Sequence, residues 1–295
     1  MRDTEHPNAA PSPKGYMQHM ILTSKRSAFQ AKGPFATAIQ NRSLTIELSK
    51  REVLGRYRGA SFGLLWSLIS PFLMLAVYTF AFGGVLKSRW PQNDAGHHSF
   101  ALILFMGLIV HGFFAECMNR SPQLIVGNSN YVKRVIFPLE ILPWPMVLSA
   151  LFHLAMNLLA FIVLQIVLDG RVGWTVVLFP LTIAPLVLLS LGVSWALAAL
   201  GVYFRDISQI TGVLTTALLF TSTAIMPMTA VGPNVQWIFR LNPLTFIIDQ
   251  SREVALWGRL PDWSGLGLYG IGALVVTYMG YSAFVATRRG FADVL

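Results

Sequence analysis

Three observations in these 295 residues predict an all-α integral membrane protein with six spans. Only 12% of the residues are charged and 54% are hydrophobic, with a mean hydropathy of +0.58. A soluble domain carries about 25% charged residues. From residue 64 onward, apolar stretches near the ~20 residues that cross a bilayer recur between short polar or basic segments. The length leaves room for six such spans and a soluble N-terminal arm, and none for a separate catalytic domain. The formal charge of +9 is read as Lys and Arg on inner loops and against anionic lipid. Nucleic acid is not expected as a partner, because no aromatic-basic surface module is visible. Cys117 is the single cysteine, so no internal disulfide and no Cys-based metal site can form.

Residues 1–42 are polar and Pro-rich without the apolar core of a signal peptide, and read as a flexible cytoplasmic tail. Residues 43–57 (SLTIELSKREVLGRY) set Leu44, Ile46, Leu48, Val53, Leu54 and Tyr57 against Glu47, Lys50, Arg51, Glu52 and Arg56. This fits a helix lying in the headgroup plane, or one packed on the protein's own cytoplasmic side. Arg56 and Arg58 then lead into an uncharged run, and the first span is placed at about 64–86 with Pro71 inside it. Trp66 and Tyr78 stand where an aromatic is interfacial or faces a cavity. The second span, about 100–118, contains His111 and Glu116; the cost of a mid-bilayer charge puts Glu116 at the helix end beside Arg120.

Ser121 followed by Pro122 has the form of a helix start, with Gly127 and Asn128 as a stop. A short helix over 121–128 that exposes Leu124 and Ile125 is shaped to dock into a partner's groove. The alternative is packing on neighbouring loops of the same chain. The third span, about 146–168, follows Pro143 and Pro145 and carries His153 and Asn157, which suit interhelical hydrogen bonds. The fourth, about 174–201, tolerates Pro180 and Pro185 where neighbours satisfy the freed carbonyls. The fifth runs from about 207 to 228 and the sixth from about 265 to 286, leaving 290–295 as a cytoplasmic C-terminus. Between the last two spans, one helical piece lies near 235–241 and a second is opened by Asn242 as N-cap and Pro243 at its first position. That second piece is amphipathic, with Leu244, Ile247, Ile248, Val254 and Ala255 on one side. Asp249, Gln250, Arg252 and Glu253 are assigned to the other.

If the N-terminus is inside, 16 of the 22 Lys and Arg fall on cytoplasmic segments, which places both termini in the cytoplasm. No Walker sequence and no H-E-x-x-H motif occur, and no set of mid-membrane acids suggests an ion pathway. Transport powered by another subunit is what these absences leave.

Four stretches are similar to the membrane subunits of ABC-2 type transporters that export O-antigen and teichoic-acid polysaccharides. They are RYRGASFGLLWSLISPFLMLAVYTFAFG at 56–83, NYVKRVIFPLEILP at 130–143, YFRDI at 203–207 and NPLTFIIDQSREVALWG at 242–258. The second stretch makes the chain look less like capsule-export permeases. The resemblance covers nearly the whole chain beyond the tail, and implies a transmembrane domain over 43–289 in a homodimer of six-span subunits. Two ATP-binding-cassette subunits holding ATP and Mg would drive it, with no cofactor bound by this chain and no catalytic residue or metal in it. The family's coupling helix maps to Ser121, Pro122, Gln123, Leu124, Ile125 and Asn128, and its interface helix to Lys50, Arg51, Glu52, Arg56 and Arg58. Trp66, Tyr78, Phe82 and Phe220 are the candidates to stack sugar rings along a polymer path, or else face lipid or packing. Trp237, Phe246, Arg252 and Trp257 are the candidates at an outer gate. The implied activity is export of a lipid-linked polysaccharide across a bacterial inner membrane. The alternatives are an ABC-2 permease for a small molecule or drug and, from another class, a membrane enzyme or a channel.

Overall fold

The computed structural model describes residues 33–78, 80–81, 100–132 and 137–295. The expected end of the first span with Phe82, the polar loop after it, most of the tail and part of the 130–143 stretch lie outside the described residues. Residues from Pro34 to Leu295 form one compact unit, and no strand occurs among the described residues. In chain order the helices are α1 (Pro34–Gln40), α2 (Arg42–Arg56), α3 (Trp66–Tyr78), α4 (Phe100–Arg120), α5 (Ser129–Val132) and α6 (Pro143–Asp169). They are followed by α7 (Phe179–Tyr203), α8 (Ile207–Phe220), α9 (Gln236–Leu241), α10 (Pro243–Ala255), α11 (Trp263–Thr287) and α12 (Phe291–Val294).

Four helical segments, Phe100–Gln123, Leu139–Asp169, Trp174–Tyr203 and Trp263–Val294, are long and apolar enough to cross a membrane. The segments Gly63–Tyr78 and Ile207–Phe220 are apolar but shorter. The tail is helical from Pro34, earlier than expected, because α1 has something to pack on. Phe35 sets its ring edgewise to Trp144 and Tyr278, and Trp144 Nε1 donates to the Pro34 carbonyl at 3.2 Å. In α6, Pro143 and Pro145 belong to the first turn, where a missing N–H breaks no helical bond. In α7, Pro180 is in the first turn and Pro185 inside the helix. α11 is opened by Asp262, whose Oδ1 accepts from the Gly265 N–H at 3.0 Å.

The largest departure is α8, which stops at Phe220 rather than running to Met228. Asn242 Nδ2 donates to the Leu218 carbonyl at 2.8 Å, and Ser222, Thr223 and Ala224 then run buried in turns and bends beyond the helix.

The core is centred on α4, sheathed by α6, α7 and α10, with Leu102, Ile103, Met106 and Val110 of α4 fully buried. α7 and α11 pack closest of all. A Cβ on Gly192 would stand 2.6 Å from the Thr277 Cα, and one on Gly280 would collide with the Gly192 carbonyl. Thr277 Oγ1 adds a bond across the contact to the Leu188 carbonyl at 2.7 Å. Small residues at a helix crossing let the backbones approach and so gain dispersion contacts that lipid does not offer. Replacing Gly280 with Val forces this crossing apart and costs about 2 kcal/mol; thermal unfolding of the purified protein in detergent should show the lower midpoint, with Gly272→Val as the open-space control.

Candidate functional site

One residue each from α2, α4 and α6 (Arg56, Arg120 and His153) converges on one carboxylate. Glu116, near the end of α4, accepts from Arg56 Nη1 of α2 at 2.6 Å and from Arg120 Nη1, one turn along, at 3.0 Å. His153 Nδ1 of α6 lies 3.0 Å from Glu116 Oε2 and 2.9 Å from Arg56 Nη1. Arg120 Nη2 also pairs with Glu52 of α2. Tyr57, just past α2, presents its ring edgewise to His153 at 6.0 Å. The helix-end role expected for Glu116 is what the geometry gives: it is the anchor by which α2 is held to two long helices. His153 makes the expected interhelical bond, whereas Asn157 donates to the His153 carbonyl of its own helix at 2.8 Å.

Beside this cluster, Arg51, Glu52, Gly55, Arg56 and Arg120 line a cleft of about 350 Å³. Of the five predicted interface residues, Glu52 and Arg56 are occupied inside the chain, while Lys50, Arg51 and Arg58 are exposed. Arg51 lies over the Tyr131 ring at 5.9 Å from its centre.

The neighbouring segment departs from the expectation. Residues Ser121–Gln123 and Val126–Asn128 are two 3₁₀ turns, not one helix. Ser121 does not cap a start: its hydroxyl is buried and donates back to the Cys117 carbonyl at 2.5 Å, so the segment continues α4. Ile125, expected on the surface, is fully buried in the chain's own core, and Pro122 is buried against α7. Leu124 is half-buried and Asn128 bonds the Leu124 carbonyl at 2.9 Å, which leaves Gln123 as the exposed member of the predicted set. A loop this short can bury a large apolar side chain only by folding onto the chain's own helices, and at Pro122 the contact is with Gly201 of α7.

At the other end, the four outer candidates separate. Trp237 is exposed, Phe246 is half-buried and stacks on Tyr269 at 6.1 Å, and Trp257 is half-buried. Arg252 is fully buried, a correction to its assigned polar side. It follows Ile248 by four residues and Leu244 by eight, so helical spacing itself puts it on the apolar face. Its Nε donates to the Ile103 carbonyl at 3.1 Å, Nη1 to that of Thr223 at 2.7 Å and Nη2 to that of Ala224 at 2.9 Å. Those of Thr223 and Ala224 lie in the chain beyond the early end of α8, and that of Ile103 belongs to α4. Burial pulls the guanidinium down to about 10, with Asp249 opposing that at 3.6 Å, so it remains charged at neutral pH. Asp249 in turn accepts from Thr223 Oγ1 at 2.7 Å, and burial pushes its carboxyl up despite Arg252.

Of the path candidates, Trp66 and Tyr78 are half-buried on α3 and Phe220 is exposed at the end of α8. Residues 59–63 read GASFG, the spelling of a nucleophile elbow, which needs a strand–turn–helix setting. Here Ser61 is exposed in a run of turns between helices, without a strand among the described residues. No grouping of three or more His, Cys, Asp or Glu suited to a metal occurs among them either.

An all-helical body, among the described residues, with four helices long and apolar enough to cross a membrane is the architecture of a multi-pass membrane protein. Residues 43–256 match the ABC-2 type transporter family, and the chain belongs to it. It is 27% identical over 256 residues to the O-antigen export system permease protein RfbA of Myxococcus xanthus, covering 86% of this chain and 96% of that protein. RfbA of Klebsiella pneumoniae is 25% identical over 257 residues, covering 85% and 95%. The polysialic acid transport protein KpsM of Escherichia coli is 25% identical over 246 residues, covering 82% and 92%. A polysialic acid transport protein is thus matched at the same identity as a Klebsiella O-antigen permease.

Two substitutions test these joints. Glu116→Gln removes the charge that holds Arg56, Arg120 and His153, at a cost of about 2 kcal/mol; amide exchange across α2 should quicken by about thirtyfold, and unchanged protection would refute the anchor. Arg252→Met removes three hydrogen bonds to buried carbonyls and costs about 3 kcal/mol; the unfolding midpoint should fall, with Arg252→Lys intermediate because an ammonium lacks the planar fork.

Proposed function

We propose that this chain is the permease subunit of an ABC transporter that exports a lipid-linked, O-antigen-like polysaccharide across a bacterial inner membrane. The observation that carries the reading is the family match over 43–256 together with near-full-length relatives named for O-antigen export and polysialic acid transport. The working unit is a homodimer of six-span subunits with two ATP-binding-cassette subunits, which bind ATP and Mg²⁺ and supply the energy. The short apolar segments Gly63–Tyr78 and Ile207–Phe220 serve as the first and fifth spans, with both termini in the cytoplasm. The charge count supports that orientation, because it puts the Arg-rich start of the chain inside.

The inner joint gives the subunit a mechanical role. Lys50 and Arg51 on α2 and Gln123 beside it form the exposed surface for the ATPase subunit. Glu52, Arg56 and Glu116 tie that surface to α4 and α6. When ATP binding brings the ATPase subunits together, the push is taken by α2 and the 121–132 segment, and the spans rearrange to admit the glycan. Aromatic residues Trp66, Tyr78, Phe82 and Phe220 are offered as its path, since sugar rings stack on aromatic faces.

Depleting the protein in its host while measuring lipid-linked glycan inside and glycan on the cell surface tests the reading. Accumulation inside with loss outside is the expected result. A normal surface glycan would overturn it in favour of a small-molecule permease. Lys50→Glu with Gln123→Glu should weaken recovery of the ATPase subunit with this chain by about tenfold without lowering the amount of this chain in the membrane.

A further inference from the structure

The loop between α4 and α6 is held at its start by α7 and at its end by α7 and the residue that follows α11. At its start, Pro122 presses so closely on Gly201 of α7 that a Cβ there would collide with the Pro122 carbonyl. At its end, Glu140 is buried and ion-paired with Arg288, the residue that follows α11. The Glu140 carbonyl also accepts from Trp195 Nε1 of α7 at 3.0 Å. α7 and α11 are joined at this same level, since the Tyr203 hydroxyl donates to the Thr287 carbonyl at 3.0 Å. The chain then turns back, and Phe291 of α12 buries its ring against Tyr203 at 6.0 Å and Phe284 at 5.4 Å.

Burying a carboxylate with a guanidinium is a poor way to gain stability, because well-packed apolar residues of similar volume do as well or better. What the pair does supply is a fixed geometry between two segments far apart in sequence. One side of the molecule, α2, α4 and α6, is held together by Glu116. The other, α7 and α11, is held by the Gly192 and Gly280 contact. The loop meets the second side through Pro122 and Glu140 while continuing directly from α4 into α6.

We propose that Glu140 and Arg288 form a positioning link that makes the entry to α6 and the α7–α11 pair move as one piece. The inference rests on the proposed function: a push delivered to the loop by an ATPase subunit then reaches the last helix of the chain as well as α4 and α6. Arg288 touches neither substrate nor ATPase in this scheme and acts through the loop.

The test compares glycan exported with ATP hydrolysed. Complexes are purified from native membranes through an N-terminal tag to measure hydrolysis, and surface glycan is labelled by periodate and hydrazide on the same cells. Arg288→Gln should keep hydrolysis and assembly while lowering export per ATP by about tenfold, and Arg288→Lys, which keeps the charge, should restore most of it. If Arg288→Gln does not accumulate, Tyr203→Phe, which removes the hydroxyl bond holding α7 to Thr287 beside Arg288 and keeps the ring, should loosen the seat of Arg288 and lower export per ATP by a smaller factor, about twofold. Export per ATP equal to wild type in the variants that accumulate overturns the link, as does a fall in export that merely tracks the amount of protein. A wild-type chain that exports no glycan overturns the proposed function instead.

Discussion

A peptide carbonyl buried away from water must find a donor inside the protein, and the break after α8 creates several that have lost theirs. Ser222, Thr223 and Ala224 are all buried, so the chain cannot leave the helix there unless another element supplies the missing hydrogen bonds. α10 does so with two side chains. Asn242 takes the carbonyl of Leu218, and Arg252 spans those of Thr223, Ala224 and Ile103 with one planar fork. Only a guanidinium presents three donors in fixed directions, which is why one long cation can join α4, α8 and α10 at a single point. The shortness of α8, the placement of α10 against α4 and the irregular chain between α8 and α9 all follow from that bond set.

The cluster around Glu116 obeys the same constraint with the opposite sign of charge at its centre. Glu116 gathers two arginines and a histidine from three helices. Because lipid competes poorly for polar groups, helices in a membrane can be organised by a few such bonds and otherwise pack through small side chains. α7 and α11 show the second mode, with Gly192 and Gly280 in contact. The two modes divide the chain into parts with distinct fastenings, which is the arrangement a transporter needs if its helices are to shift against each other without losing their internal packing.

This division also explains which candidate residues serve which end. An exposed cation such as Lys50 or Arg51 is available to a partner, whereas Arg56 of the same helix is spent on Glu116. Trp237 is available at the other end, whereas Arg252 is spent on carbonyls. Residue type alone does not separate the two uses, because the same guanidinium suits a surface anion and a buried carbonyl.

Apolar runs, charge distribution and local capping were legible in the chain itself. The runs fix where α4, α6, α7 and α11 lie, since burying so much apolar surface leaves a bilayer-spanning helix as the stable form. Asn242 with Pro243 marks the start of α10 through interactions within three residues, and Asn242 Oδ1 accepts from the Leu244 N–H at 2.9 Å as that pattern requires. Arg252 was legible in principle, from its spacing to Leu244 and Ile248, but a charged residue biases the reading toward the polar face. What tertiary structure alone decided are the contacts between residues far apart in sequence. Nothing near Ile125 says that the core will cover it, nothing near Phe220 says that Arg252 will bond the carbonyls beyond, and nothing near Glu140 announces Arg288. Local sequence sets the energy of a helix or a cap, but the partner of a buried polar group is chosen by which helices pack together, and that choice belongs to the whole chain.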